Sequence, residues 1–135
     1  MHWLIYVHLG VAIILLAGAL ALAIEAVRSR RLSALPERFW KGATHLERGI
    51  FLQAAIGVVL FLTTRHQGLT WTHYLYGGVA LVVVLIERGL RPGRGLRETL
   101  TTDYGRFNEP VVLAILMFFL FGVFGRAFTT GMWNV

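Results

Sequence analysis

The chain contains no cysteine among its 135 residues, and only 15% of its residues are charged. The missing cysteine excludes disulfide bonds, iron–sulfur clusters, thiolate metal ligands and covalently attached c-type heme. Soluble domains have about 25% charged and ~45–50% apolar residues, whereas this chain is 56% hydrophobic with a mean hydropathy of +0.65. The composition therefore predicts a membrane protein.

Four apolar runs are long enough to cross the ~30 Å hydrocarbon core of a bilayer, which takes about 20 helical residues. A helix satisfies its own backbone hydrogen bonds in lipid, so each run is predicted to be helical. The predicted fold is all-α, an integral membrane four-helix up-down bundle in a single membrane domain, residues 1–135. Its spans are predicted at about residues 3–27, 46–66, 70–88 and 109–128. The first run is too long for the core of a cleaved signal peptide, so we expect it to be retained.

Basic residues are placed unevenly along the chain. Eleven of the 13 lysines and arginines fall in the two long links or at the helix ends beside them: Arg28, Arg30, Arg31, Arg38, Lys41, Arg48, Arg88, Arg91, Arg94, Arg97 and Arg106. The positive-inside rule then places these basic links in the cytoplasm and both termini outside, in a protein integral to the cell (inner) membrane. Topology and contact with anionic lipid headgroups account for the charge, so we expect membrane lipids and no nucleic acid as partners.

Of the five histidines, two lie most clearly within predicted spans, and both are near the same membrane face. His8 in the first span and His73 in the third are each close to an interfacial tryptophan, so their depths should be similar. Ionisable residues inside a membrane are costly and are candidates for function. If the two rings meet, they provide both axial ligands for the iron of heme b. His66 is the second choice as a metal ligand, and hydrogen bonding between helices without a metal is the alternative.

Small residues near both histidines favour a flat cofactor. Ala12 and Gly77 lie four residues beyond His8 and His73, on the same helix faces, and leave clearance for a porphyrin edge. Gly57 in the second span is predicted to provide part of a smooth wall. The alternative is close packing of helices, for which small residues at this spacing are typical.

Three polar side chains complete the predicted cofactor site. Gln53 lies four residues before Gly57 and is expected to form a hydrogen bond inside the protein. Arg65 and Arg126 lie on the outer side and are expected to pair with heme propionates. The alternative for these arginines is snorkelling to the membrane interface.

The second and third spans resemble heme A synthase. The resemblance rests on Arg48-Gly-Ile-Phe-Leu-Gln-Ala-Ala-Ile-Gly-Val58, then an outer link, then Thr72-His73 and an apolar helix that ends in basic residues. It implies that His73 matches the second heme-ligating histidine of one four-helix half of that family, that Gln53 and Gly57 match the preceding helix, and that His8 matches the first histidine.

The chain departs from heme A synthase in two respects. It has the length of one half of that family, and Leu4 and Ile5 stand where the catalytic half has a glutamate. The resemblance therefore implies heme b binding, as in the cofactor-holding half, rather than hydroxylation of a heme side chain.

Three functions remain open from the sequence. The first is a b-type cytochrome that transfers electrons, alone or as a subunit of a respiratory or photosynthetic complex. The second is a cofactor-free accessory subunit held against other membrane subunits. The third is a half-length heme A synthase-like enzyme acting as a homodimer. We favour an electron-transfer or accessory subunit over a stand-alone catalyst.

Overall fold

The computed structural model of the protein describes residues 2–64, 69–104 and 107–133. Within these ranges the chain is all-α and has no β-strand. Its helices are α1 His2–Arg28, α2 Glu37–Thr63, α3 Trp71–Gly89, α4 Gly95–Tyr104 and α5 Glu109–Trp133.

The prediction of a four-helix up-down membrane bundle is wrong. The described residues form five helices, of which α1, α2 and α5 are long and apolar enough to span a membrane. α3 has 19 residues, begins with Trp71-Thr72-His73 and ends with Glu87-Arg88-Gly89, so its apolar stretch is shorter than a typical span. The link expected at 89–107 contains α4, whose sequence is polar.

Two helix starts have clear local causes. α2 begins at Glu37, well before the apolar run, because Pro36 at its N-cap holds an extended backbone that ends the preceding link. α5 begins at Glu109, and the Asn108 side chain accepts a hydrogen bond from the N–H of Val111 at 3.4 Å. Asparagine is a favoured N-cap residue because its oxygen satisfies a backbone donor of the first turn.

Close packing of small residues holds α1 against its neighbours. α1 packs against α2 and α5, whereas α3 packs mainly against α5 and makes few contacts with α2. Ala19, Ala23 and Ala26 on α1 are completely buried. On α2, a Cβ atom added at Gly49 would lie 2.7 Å from Cδ2 of Leu15. Small residues of this kind let helix backbones approach each other in membranes.

Large apolar side chains cover the outer surface of the long helices. Ile14 is 70% exposed, Leu62 69% and Ile115 66%. A continuous apolar surface of this kind is typical of contact with lipid rather than water. The exposed surface thus agrees with the three helices that are able to span a membrane.

Different groups of side chains lie at the two ends of the helices, and each end is named here after its residues. The histidine end is the end that contains His8 and His73, whose rings lie near each other. The arginine end is the opposite end of α3, where Arg88 and Arg91 form ion pairs with Glu47 of α2.

A buried carboxylate anchors the start of α5 at the arginine end. Glu109 is only 1% exposed, and its Oε1 accepts a 2.7 Å hydrogen bond from the N–H of Leu35 in the α1–α2 link. Its Oε2 forms an ion pair with Arg97 of α4, whose guanidinium also lies over the ring of Phe107. One side chain thereby joins the α1–α2 link, α4 and α5.

Candidate functional site

His8 of α1 and His73 of α3 face each other across the histidine end. Their ring centroids are 6.2 Å apart, and the ring planes are inclined at 60°. The backbones of α1 and α3 do not approach each other, since no pair of their Cα atoms lies within 8 Å. The two imidazoles therefore bridge a space between helices that are not direct neighbours.

The orientation of the His73 ring is fixed by α5. Nδ1 of His73 lies 2.9 Å from the carbonyl oxygen of Ala127. A carbonyl only accepts hydrogen bonds, so Nδ1 carries the proton and donates it. The lone pair of the neutral ring is then on Nε2, and a backbone carbonyl at the other nitrogen is the usual support for a metal-ligating histidine.

His8 is held through the neighbouring α2. Nε2 of Gln53 donates a 3.0 Å hydrogen bond to the carbonyl oxygen of His8, so the predicted bond of this glutamine is made to the α1 backbone. A Cβ atom added at Gly57 would lie 3.4 Å from Cε1 of His8. Within the described residues, Nδ1 of His8 is buried without a hydrogen-bond partner. The ring therefore packs beside a glycine while one of its nitrogens is unsatisfied.

Gly131 on α5 is a site residue that the sequence analysis missed. A Cβ atom added there would lie 3.1 Å from both Cε1 and Nδ1 of His73. Only the fold shows this contact, because the two residues are far apart in sequence and α5 contains other glycines. The glycine allows the turn of α5 that carries Ala127 to approach the ring.

The remaining predicted residues are less closely involved. Ala12 is half-buried on α1 and Gly77 is exposed, with no atom within 4 Å of a Cβ added to it. Arg126 is exposed near His73, and its guanidinium lies 5.8 Å from the ring centroid of Tyr76. Arg65 and His66 lie outside the described residues.

Two imidazoles bonded at ~2 Å on opposite sides of one metal ion have ring centroids about 6 Å apart, and the centroids of His8 and His73 are 6.2 Å apart. No group of three or more His, Cys, Asp or Glu side chains able to hold a metal ion is present in ranges 2–64, 69–104 and 107–133. Two imidazoles are nevertheless all that a protein provides for a bis-histidine heme, because the porphyrin supplies the other four nitrogens.

Two glutamates near the arginine ends of α1 and α3 are used in ion pairs. Glu25 pairs with Arg38 at 2.6 Å, and Glu87 pairs with Arg91 at 3.1 Å. These contacts are at the arginine end, away from the histidines. They give the two carboxylates a structural role in joining helices and links.

No protein-family model, curated protein or solved structure matches this chain. The interpretation of the histidine end therefore depends on its own geometry and chemistry.

Proposed function

We propose that this protein binds heme b between His8 and His73 and serves as an electron-transfer protein of the cell membrane. The observation that carries the proposal is the approach of the two imidazoles to 6.2 Å. His73 is held with Nδ1 toward Ala127, which leaves Nε2 as the free ligand atom. When bound, the heme would supply one-electron redox chemistry, and the protein would supply ligands, position and a low-dielectric surrounding.

Three features of the histidine end support a flat, anionic cofactor. Gly77, four residues beyond His73 on the same face of α3, is exposed, and a Cβ added there would meet no atom within 4 Å. The unsatisfied Nδ1 of His8 lies in the same region. Arg126, exposed one residue before the carbonyl that orients His73, is the described cation that would pair with a propionate.

The proposed location is the inner membrane of the cell, with the histidine end outside and the arginine end in the cytoplasm. The distribution of basic residues supports this orientation. The partners we propose are membrane lipids and either other subunits of a respiratory or photosynthetic complex or a second copy of this chain. Gln53 and Gly57, which the resemblance to heme A synthase implies are part of the heme-binding helix pair, both lie next to His8.

The proposal is tested by the reduced-minus-oxidised absorption spectrum of the protein purified from cells supplied with heme. We expect the bands of a six-coordinate b-type heme in the wild type. His8→Ala and His73→Ala should each lose at least one axial ligand and so lose or shift these bands.

His45→Ala is the matched control, since His45 is exposed on α2 near the arginine end. It should leave the spectrum unchanged. A wild-type protein without heme bands would overturn the proposal, and so would equal loss in all three variants. Co-purification with larger subunits and a featureless spectrum would instead favour the cofactor-free accessory subunit.

A further inference from the structure

A basic cavity at the arginine end is separate from the histidine pair and is not explained by heme binding. Its volume is about 240 Å³, and it lies between α2 and the end of α3. It is lined by Thr44, Glu47, Arg48, Arg88, Arg91 and Arg94. Four guanidinium groups and one carboxylate line the cavity, and Glu87 pairs with one of these arginines, so the net charge around the cavity is positive.

Arg91 has a structural role in this cavity. Its Nη1 donates a 2.9 Å hydrogen bond to Oγ1 of Thr44, and its Nε donates a 3.1 Å hydrogen bond to Oε1 of Glu87. Its Nη2 lies 3.2 Å from Oε2 of Glu47, and its guanidinium is 5.9 Å from the ring centroid of Trp40. Every nitrogen of this guanidinium therefore has a protein partner, so Arg91 mainly builds the cavity wall.

The other three arginines retain donors. Among the described residues, Arg88 pairs through its Nε alone, at 3.2 Å from Oε1 of Glu47, and its side chain is half exposed. Arg48 and Arg94 are exposed and form no ion pair or side-chain hydrogen bond with any described residue. Because Glu47 is already paired twice, it adds little repulsion, and the donors of these three arginines are placed for a phosphate group.

The surface below the cavity is apolar. Phe51 and Leu52 lie one helical turn from Glu47 and Arg48 on α2, and they are 42% and 54% exposed. On α3, Leu85 lies one turn below Arg88 and is 59% exposed. A ligand with its phosphate in the cavity and its acyl chains on these side chains would satisfy both surfaces.

We infer that this cavity binds the phosphate of an anionic phospholipid headgroup at the cytoplasmic face. Heme binding is not required for this lipid site, but its cytoplasmic placement rests on the membrane orientation proposed above. It combines a basic pocket between helices with an exposed apolar surface one turn below it, the arrangement that suits a lipid at a membrane boundary. A free phosphate would use the same donors but would gain nothing from the apolar surface.

The test is a titration of the full chain in neutral detergent with phosphatidylglycerol, followed by native mass spectrometry. Phosphatidylcholine is titrated in parallel, and inorganic phosphate is added as a competitor. We expect one phosphatidylglycerol to bind more tightly than phosphatidylcholine and to resist inorganic phosphate at equal concentration. Replacing Arg48 and Arg94 together by glutamine should weaken binding about thirtyfold, since each arginine near an anionic lipid contributes roughly fivefold.

The matched control is Arg30→Gln with Arg31→Gln, which removes the same charge from exposed positions in the α1–α2 link. It should bind phosphatidylglycerol like the wild type.

A second site variant is Arg94→Gln alone, which lies outside the helices. It should weaken binding about fivefold and replaces the double variant if that one does not fold. Equal weakening in the site and control variants would overturn the inference. So would equal affinity for the two lipids, or displacement by inorganic phosphate at equal concentration, which would indicate a free-anion site.

Discussion

At the scale of single residues, Gly131 determines how closely α5 approaches the His73 ring. Gly131→Ala would place a Cβ 3.1 Å from Nδ1 and Cε1 of that ring, so the ring has to shift by a few tenths of an ångström beside its hydrogen bond to Ala127. We expect a loss of about 1 kcal/mol of unfolding free energy relative to a tolerated Gly→Ala change, as for other overpacked sites. Thermal unfolding of the purified protein, followed by circular dichroism, measures this difference.

Gly125→Ala on the same helix is the control, because no atom lies within 4 Å of a Cβ added there. If heme is bound as proposed, Gly131→Ala should also shift the visible bands, while Gly125→Ala should not. Equal unfolding midpoints for the two variants would show that the ring of His73 is not constrained by α5.

The sequence reveals a histidine but not the group that orients it. His8 and His73 stand out because ionisable residues are rare in apolar segments. The carbonyl of Ala127 carries no sequence signal, since every residue has one, and Gly131 resembles the other glycines of α5. The ligand candidates could therefore be predicted, whereas their support depends on which turn of α5 packs beside α3.

At the scale of helices, Glu109 joins the start of α5 to α4 and to the α1–α2 link. Glu109→Gln keeps an oxygen for the N–H of Leu35 but leaves Arg97 without its buried counter-charge. Breaking a buried pair costs roughly 3–5 kcal/mol, and because Arg97 is partly exposed we expect about 2 kcal/mol. Denaturant unfolding in detergent measures the loss, and hydrogen exchange should show α4 opening first.

Glu37→Gln is the control for this change. Glu37 pairs with Lys41 at 3.0 Å, and both side chains are largely exposed, so its loss should cost no more than about 1 kcal/mol. If Glu109→Gln proved as mild as Glu37→Gln, the buried pair would not be what holds α4 in place.

Hydropathy explains which helices could be predicted and which could not. α1, α2 and α5 contain long apolar runs, and these were found from the sequence. α4 has the sequence Gly-Leu-Arg-Glu-Thr-Leu-Thr-Thr-Asp-Tyr, without an apolar run, and its position depends on the tertiary pair between Arg97 and Glu109. α3 covers nearly the residues predicted for the third span, but polar residues at both of its ends shorten its apolar stretch.

At the scale of the whole molecule, the arginine end and the pair formed by His8 and His73 lie at opposite ends of the long helices. From His8 to Arg28 along α1 the distance is about 30 Å at ~1.5 Å per residue, which matches the thickness of a hydrocarbon core. The proposed heme site and the proposed lipid site therefore lie at opposite ends of the molecule. Substitutions at one proposed site should accordingly leave binding at the other unchanged.

The orientation of this arrangement is open to a direct labelling experiment, because the chain has no cysteine of its own. Ser33 in the α1–α2 link and Leu69 before α3 are both exposed, at opposite ends of the molecule. We expect Leu69→Cys to react with a membrane-impermeant maleimide in intact spheroplasts and Ser33→Cys to react only after permeabilisation, as the positive-inside rule requires. The unsubstituted protein is the blank. The reversed pattern would place the histidine end in the cytoplasm, and labelling of both variants in intact spheroplasts would contradict a membrane-spanning arrangement.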